Sequence, residues 1–456
     1  MLNKQYDNVL DKVKTDLKNS KAVCLTSDGW TGLNGTNFLA ATVHFVNDST
    51  NLKSYLLECE EFTERHTSEN IALWLKSVMD RFAILDKVCC VVTDNAPNMI
   101  KAIHLLEIQH VPCYAHTLNL VVKDAINDTI ETTVTKVRKI VKYFKKSSTA
   151  LYKLNEMQKN LNYKELKLIQ DVSTRWNSIY FMLDRFRANK EPIVSALALL
   201  GAESKLIEND WTIMEQSCII LKVFDVLTKE ISAEKNVTLS KVRVLDTLLF
   251  NRLDHMMLNN TFLPQIQKFL KELIAGLKLR FDYDNTNIMS RATVLDPRFK
   301  QKGFSNANLF KECCDNILIE MDAIELDSNN NEENISEPVV IASESSKDNI
   351  WEEFDLNVVH PQTILHARTS NQKEMDNYVA EPLAHRNDDP LEWWKLHKLE
   401  YPKIYQIMLR VLCIPATSVP CERIFSKAGD IETSKRNRLK PSKLGKMLFV
   451  KQNKTN

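Results

Sequence analysis

Two stretches of the chain share one pattern: a short, apolar, β-preferring run that delivers an aspartate. The first is KAVCLTSDGWT (Lys21 to Thr31), where Ala22 to Leu25 leads to Asp28 and Gly29. The second is KVCCVVTDNAPNM (Lys87 to Met99), where Val88 to Thr93 leads to Asp94, with Asn95 and Pro97 opening a helix. An acid at the end of a buried strand is costly unless positive charge meets it. Two strands releasing carboxylates at one sheet edge would make half of a divalent-metal site. Each acid also has an ordinary alternative. Asp28 could be a turn residue before Gly29, and Asp94 an N-cap with Asn95.

At 456 residues the chain is too long for one core, so two or three domains are expected. No apolar run reaches membrane-spanning length, and MLNKQYDNVL is too charged for a signal peptide. The ten cysteines form no C-x-x-C pair, and several lie in apolar strands, which suits reduced thiols. Glycine is scarce and no glycine-rich phosphate loop occurs. The net charge of +1 hides a segregation: residues 321–358 hold eleven acids against Lys347 alone. The remainder is therefore basic, as a polyanion-binding surface beside a solvated acidic loop would be.

In chain order, residues 1–20 show helical spacing of apolar positions. Strands follow over Ala22–Leu25, Asn37–Phe45 and Leu52–Phe62, then a helix capped at Thr67-Ser68. A strand over Val88–Thr93, a helix over Pro97–Leu106, a strand over His110–Cys113 and one long helix from about Thr117 to Phe144 complete the first part. The order β-β-β-α-β-α-β-α predicts a mixed sheet covered by helices. On the long helix Arg138, Lys142 and Lys145 form a basic face that is either solvated or in contact with phosphates. From Leu151 to about Ile319 the pattern is helical throughout, followed by the acidic stretch and a strongly featured block, Asp389 to Asn453.

Four motifs coincide: SDGWT (Ser27–Thr31), TDNAPNM (Thr93–Met99), CYAHTLNL (Cys113–Leu120) and TRWNS (Thr174–Ser178). The last block adds DPLEWWKLHKLEYP and IPATSVPCERIFSKAGDIETSKRNRLKP. Together they resemble the hAT superfamily of DNA transposases and the BED-type zinc-finger proteins derived from it, over nearly the whole chain. The resemblance implies a ribonuclease-H-like mixed sheet (α/β + α), interrupted by a large all-helical insertion, with C-terminal dimerisation helices. The expected divisions are an N-terminal helix (1–20), the first part of the catalytic core (21–150), and the helical insertion (151–385) with an acidic loop at about 322–348. The C-terminal region (386–456) would complete the core.

The resemblance further implies that Asp28, Asp94 and Glu422 of PCERIFS are a catalytic DDE triad holding Mg²⁺ or Mn²⁺ in a two-metal site. The alternative for Glu422 is a surface glutamate paired with Arg423. Cys113 and His116 match the family's C-x-x-H element. A zinc site would need two further ligands that the sequence does not supply. His116 is implied as a donor near the scissile phosphate, with a structural histidine as the alternative. Arg175 is implied to contact phosphates, and Trp176 to stack on a flipped base or else to pack between helices. Trp393, Trp394, Tyr401, Leu412 and Phe425 fall in the dimerisation region. Arg436 and Arg438 sit in a basic run that suits DNA or a nuclear address. No C-x-x-C with paired histidines precedes Lys21, so a member lacking the BED finger is expected. Two functions follow as expectations: a DDE transposase acting on DNA as a homodimer or larger assembly, or a domesticated, silent nuclear DNA-binding regulator, SUMO ligases being one described variant. Both act in the nucleus, without membrane or small-molecule substrate.

Overall fold

The computed structural model describes residues 2–32, 35–172, 175–281, 288–324, 370–431 and 440–454. Helix α1 (Leu2–Asn19) precedes strands β1 (Val23–Thr31), β2 (Asn37–Val46) and β3 (Leu52–Glu61). Then come α2 (Ser68–Arg81), β4 (Val88–Thr93), α3 (Pro97–Leu105) and β5 (Gln109–Pro112). The five strands form one sheet in the order β3-β2-β1-β4-β5. The three leading strands pair antiparallel, and β1-β4 and β4-β5 pair parallel. The sheet is covered on both faces: Val23, Leu25 and Val91 join one core, Cys24, Cys90 and Val92 the other. That explains the unbroken apolar run VCCVV in β4, because a strand buried on both sides need not alternate.

The expected long helix is two. Helices α4 (Tyr114–Thr129) and α5 (Glu131–Lys146) break at Ile130, a buried residue with non-helical φ −116° and ψ 3°. The break is held because Gln265 donates to the carbonyl oxygen of Thr129. Helices α6 (Ser148–Asn160), α7 (Trp176–Arg187), α8 (Lys190–Leu199), α9 (Glu208–Ile231), α10 (Lys241–Met257) and α11 (Pro264–Arg280) follow. After them come α12 (Ile288–Leu295), α13 (Ala307–Asp322), α14 (Ser370–Ala380), α15 (Pro390–His397), α16 (Pro402–Val411), α17 (Val419–Ile431) and α18 (Pro441–Asn453). The expected acidic loop lies almost wholly outside the described residues. Among those described, no helix is long and apolar enough to cross a membrane.

Much of the aromatic block expected in the dimerisation region is packed within the chain itself. Trp394, Tyr401 and Leu412 are fully buried within the single chain. Trp394 donates through Nε1 to Leu295 O at 2.9 Å and stacks on Tyr378. Phe425 stacks on Trp30 of β1 at 5.8 Å, and the partly buried Trp393 lies on His397 at 3.8 Å. Trp394, Tyr401 and Leu412 are thus core residues of the single molecule, Phe425 joins its helix to β1, and Trp393 keeps part of its surface open. Among the described residues of this region, the most exposed large apolar side chains are Leu396 and Leu399, at 80% and 87%.

Helix α18 closes the free edge of β3. Asn453 accepts from Leu56 N and donates to Leu56 O, both at 2.8 Å, so one side-chain amide satisfies the outward-facing backbone groups of a residue whose other side faces Thr42 of β2. Gly445 allows the approach, since a Cβ there would lie 2.5 Å from Cys59 O. A backbone carbonyl cannot swing aside as a side chain does. Gly445→Ala should therefore push α18 off the edge and cost ~1–3 kcal/mol. Thermal melting, with hydrogen exchange of β3 amides, checks this; unchanged protection at β3 would sink it.

Candidate functional site

Parallel pairing of β1 with β4 sets Cys24 opposite Cys90 and Thr26 opposite Val92. Side chains alternate along a strand, so Cys24, Thr26 and Asp28 share a face, as do Cys90, Val92 and Asp94. Two residues past the last of these pairs stand Asp28 and Asp94, neighbours on that face. Strand β4 has ended at Thr93, whereas β1 continues against β2 through Asp28↔Ala40 to Thr31↔Asn37. Asp28 is thus a mid-strand residue beside an open edge, not a turn residue; its Oδ1 accepts from Gly29 N at 2.8 Å. Nor is Asp94 the N-cap of α3. The cap is Ala96, whose N–H donates to Asp94 Oδ1 at 3.3 Å.

Glu422 arrives from the other end of the chain. The segment before it crosses the β5–α4 junction, where Tyr114 N donates to Ala416 O at 2.9 Å and Ser418 N to Cys113 Sγ at 3.2 Å. Cys421 then meets β1, its Sγ 3.1 Å from Thr26 Oγ1. Ile424, Phe425 and Ala428 are buried below it. With one face of α17 committed to this packing, Glu422 in its first turn is left part-exposed. Cys113 of the C-x-x-H element is therefore a buried acceptor that seats the incoming backbone.

Asp28 registers both other acids. Burial first, then the charges of Asp94 and Glu422, push its pKa up to about 7, against the Gly29 hydrogen bond and the Arg175 charge. Across about pH 4 to 7 the unfolded chain has already lost the Asp28 proton that the folded chain keeps. Stability from this group therefore falls as pH rises through that window, and the penalty is complete above it. Asp28→Asn removes the penalty. After discounting for water at a part-exposed carboxylate, the variant should be more stable by ~2 kcal/mol at pH 8 without divalent cations, and by little at pH 4. Urea denaturation at both pH values checks this; an equal gain at both would contradict it.

Arg175, the N-cap residue of α7, sets its Nη2 2.8 Å from Glu422 Oε2. Arg423 does not pair with Glu422. It reaches Glu234 at 2.6 Å and Ser232 O at 2.9 Å. The Arg175–Glu422 contact, across 247 positions, had no signal in the sequence. Among the described residues, no three His, Cys, Asp or Glu side chains are already gathered as a metal cage. By kind the acids fit a hard divalent cation: three carboxylates, one of them desolvated and loaded with the charge of the other two.

The remaining expected residues divide. His116 is part-exposed in the first turn of α4, one residue before Thr117, whose hydroxyl accepts from Asn95 beside Asp94. Lys142 and Lys145 are exposed on α5. Arg138 is instead engaged by Asp171 and Glu131, at 2.8 and 3.0 Å, so it is not a free phosphate contact. Trp176 is only 1% exposed and packs edge-on against Phe224, which overturns its reading as an open platform for a base. Arg436 and Arg438 lie outside the described residues.

Comparison with known proteins agrees with this architecture. Residues 26–114 match the ZBED1 RNase-like domain, 111–220 the ZBED1 RNase-like helical domain, and 374–454 the hAT family C-terminal dimerisation region. The chain is 25% identical to zinc finger BED domain-containing protein 4 of Homo sapiens, covering 98% of this chain and 39% of that protein. It is 24% identical to the putative transcriptional regulator tpeD of Talaromyces stipitatus, covering 99% and 55%. It is 25% identical to the putative AC transposase of Zea mays, covering 91% and 54%. It thus spans about two-fifths to just over half the length of these relatives. The three matched domains, in this order along one chain, and the relatives it resembles, BED zinc-finger proteins and hAT transposases, are those of a hAT-derived protein.

Proposed function

We propose that the chain carries a ribonuclease-H-like core with an inserted helical domain, and that it binds DNA and cleaves and transfers its strands with Mg²⁺ or Mn²⁺. The core would comprise residues 21–150, completed by 386–456 across the insertion 151–385. One observation carries the reading: Asp94, just past the end of β4, and Glu422, 328 positions beyond it, both bear on Asp28 of β1 and raise its pKa. Asp28, Asp94 and Glu422 would hold the cations, which when bound would activate an attacking hydroxyl and steady a leaving oxygen. Strand β1 fixes Asp28, the end of β4 places Asp94 beside it, and the Cys421 anchor orients the third carboxylate. Arg175, freed from Glu422, would pair with a phosphate, and a guanidinium suits that geometry. His116 would donate a hydrogen bond to the substrate. Lys142 and Lys145 would add sequence-independent phosphate contacts. Self-association would use the exposed Leu396 and Leu399. DNA as substrate would put the protein in the nucleus. Mn²⁺-dependent nicking of supercoiled DNA, lost in Asp94→Asn, tests the reading.

The Arg175–Glu422 pair supports a second reading, a DNA-binding regulator without chemistry. A cation already sits on the third acid, so the acids would serve the fold alone. Absence of nicking with either metal, together with retained DNA binding, would favour it.

A further inference from the structure

The pairing of β1 with β4 contains an irregularity unrelated to the acids. Val23 pairs with Val88 and Cys24 with Cys90, which leaves Cys89 as the extra residue of a bulge. A bulge re-aims its side chain. Here it lets adjacent residues send thiols into one cluster with Cys24 and Cys413. Cys24 Sγ and Cys90 Sγ are 3.5 Å apart. Cys89 Sγ lies 3.3 Å from Arg410 O, and Cys413 Sγ lies 3.4 Å from the same oxygen. Cys24, Cys90 and Cys413 are buried, whereas Cys89 opens onto a cavity of about 360 Å³. Its walls carry Lys21, Lys87, Arg291 and Arg410 against Asp86 and Glu320, a positive balance that favours a thiolate. Hydrogen bonds from the Cys413 and Cys90 thiols lower the Cys89 pKa, while burial raises that of Cys24. A metal does not account for the cluster, because among the described residues no three such ligands converge on one point.

We propose that Cys89 and Cys413 are a peroxide-sensitive dithiol pair, Cys89 the sulfur that is attacked and Cys413 the one that resolves it. Hydrogen peroxide transfers one oxygen to Cys89 Sγ, giving a sulfenic acid and releasing water. The Cys413 thiol attacks that sulfur, forms the S–S bond and expels a second water. Two thiols supply the two electrons that reduce the peroxide. The bond would tie β4, which leads to Asp94, to the segment that leads to Glu422. The chemistry stands whether or not those acids are catalytic.

The test is a peptide map of the full chain after brief exposure to hydrogen peroxide and alkylation under denaturing conditions. A Cys89–Cys413 linked peptide should form first and be reversed by dithiothreitol. Free Cys89 should disappear ~10-fold faster than the buried lone thiol of Cys218. In Cys413→Ser, Cys89 should be trapped as a sulfenic acid by dimedone; if that variant does not fold, the wild-type map decides alone. Loss of Cys89 no faster than that of Cys218, a Cys24–Cys90 link formed in its place, or sulfinic acid at Cys89 with Cys413 still free would each overturn the proposal.

Discussion

Asparagine in place of Asp94 is expected to lower Mn²⁺-dependent nicking by ~10³-fold or more, since it removes a charged ligand from the centre on which both oxygens of the reaction would depend. The substitution is nearly isosteric. The contact Asp94 makes, accepting from Ala96 N at 3.3 Å, needs only an oxygen, which asparagine keeps. The fold should therefore survive, with a change in stability within ~0.5 kcal/mol. Loss of activity with an unchanged melting curve would separate chemistry from scaffolding. A variant as active as the parent would remove the acids from the mechanism. A parent inactive in both metals would leave the regulator reading in possession.

The same contrast shows what a sequence reveals about such a site. The two aspartates were legible because each ends a run of β-preferring residues, and strands stop where apolar side chains stop. Even so, the run before Asp28 suggested a strand ending at Leu25. The observed strand continues to Thr31 because β2 supplies hydrogen bonds after β4 has ended. Glu422 was legible only through its motif, as nothing local marks a helix-borne acid as belonging to a distant sheet. Its partner Arg175 was not legible at all. Neither was the bulge at Cys89, since a one-residue slip between parallel strands leaves the composition of both unchanged. The aromatic block was legible only in part, for a related reason. Apolar spacing says that Trp394 and Tyr401 must be covered, but not whether the cover comes from the same chain. Tyr378 and the helix bearing Leu295 provide it here.

Trp176 poses that question most sharply, and its substitution should have the largest effect on stability. The side chain is 1% exposed at the first position of α7, edge-on to Phe224 of α9 at 6.2 Å between centroids. Its backbone N–H donates to Asn119 Oδ1 of α4 at 2.9 Å, so the residue joins three helices. Trp176→Ala would leave a cavity the size of an indole among elements that other contacts hold apart, and should cost ~3–5 kcal/mol. Trp176→Phe keeps the edge-on contact and most of the volume, and should cost less than half as much. Urea denaturation followed by circular dichroism would order the three proteins as parent, Phe, Ala. A base-stacking residue predicts another pattern: melting midpoints unchanged in both variants, DNA cleavage products altered, and the deficit largely repaired by Phe, whose ring also stacks. The two patterns cannot coincide. An alanine variant of full stability would mean that the burial of Trp176 holds nothing together, and that the side chain is free to leave the core for DNA.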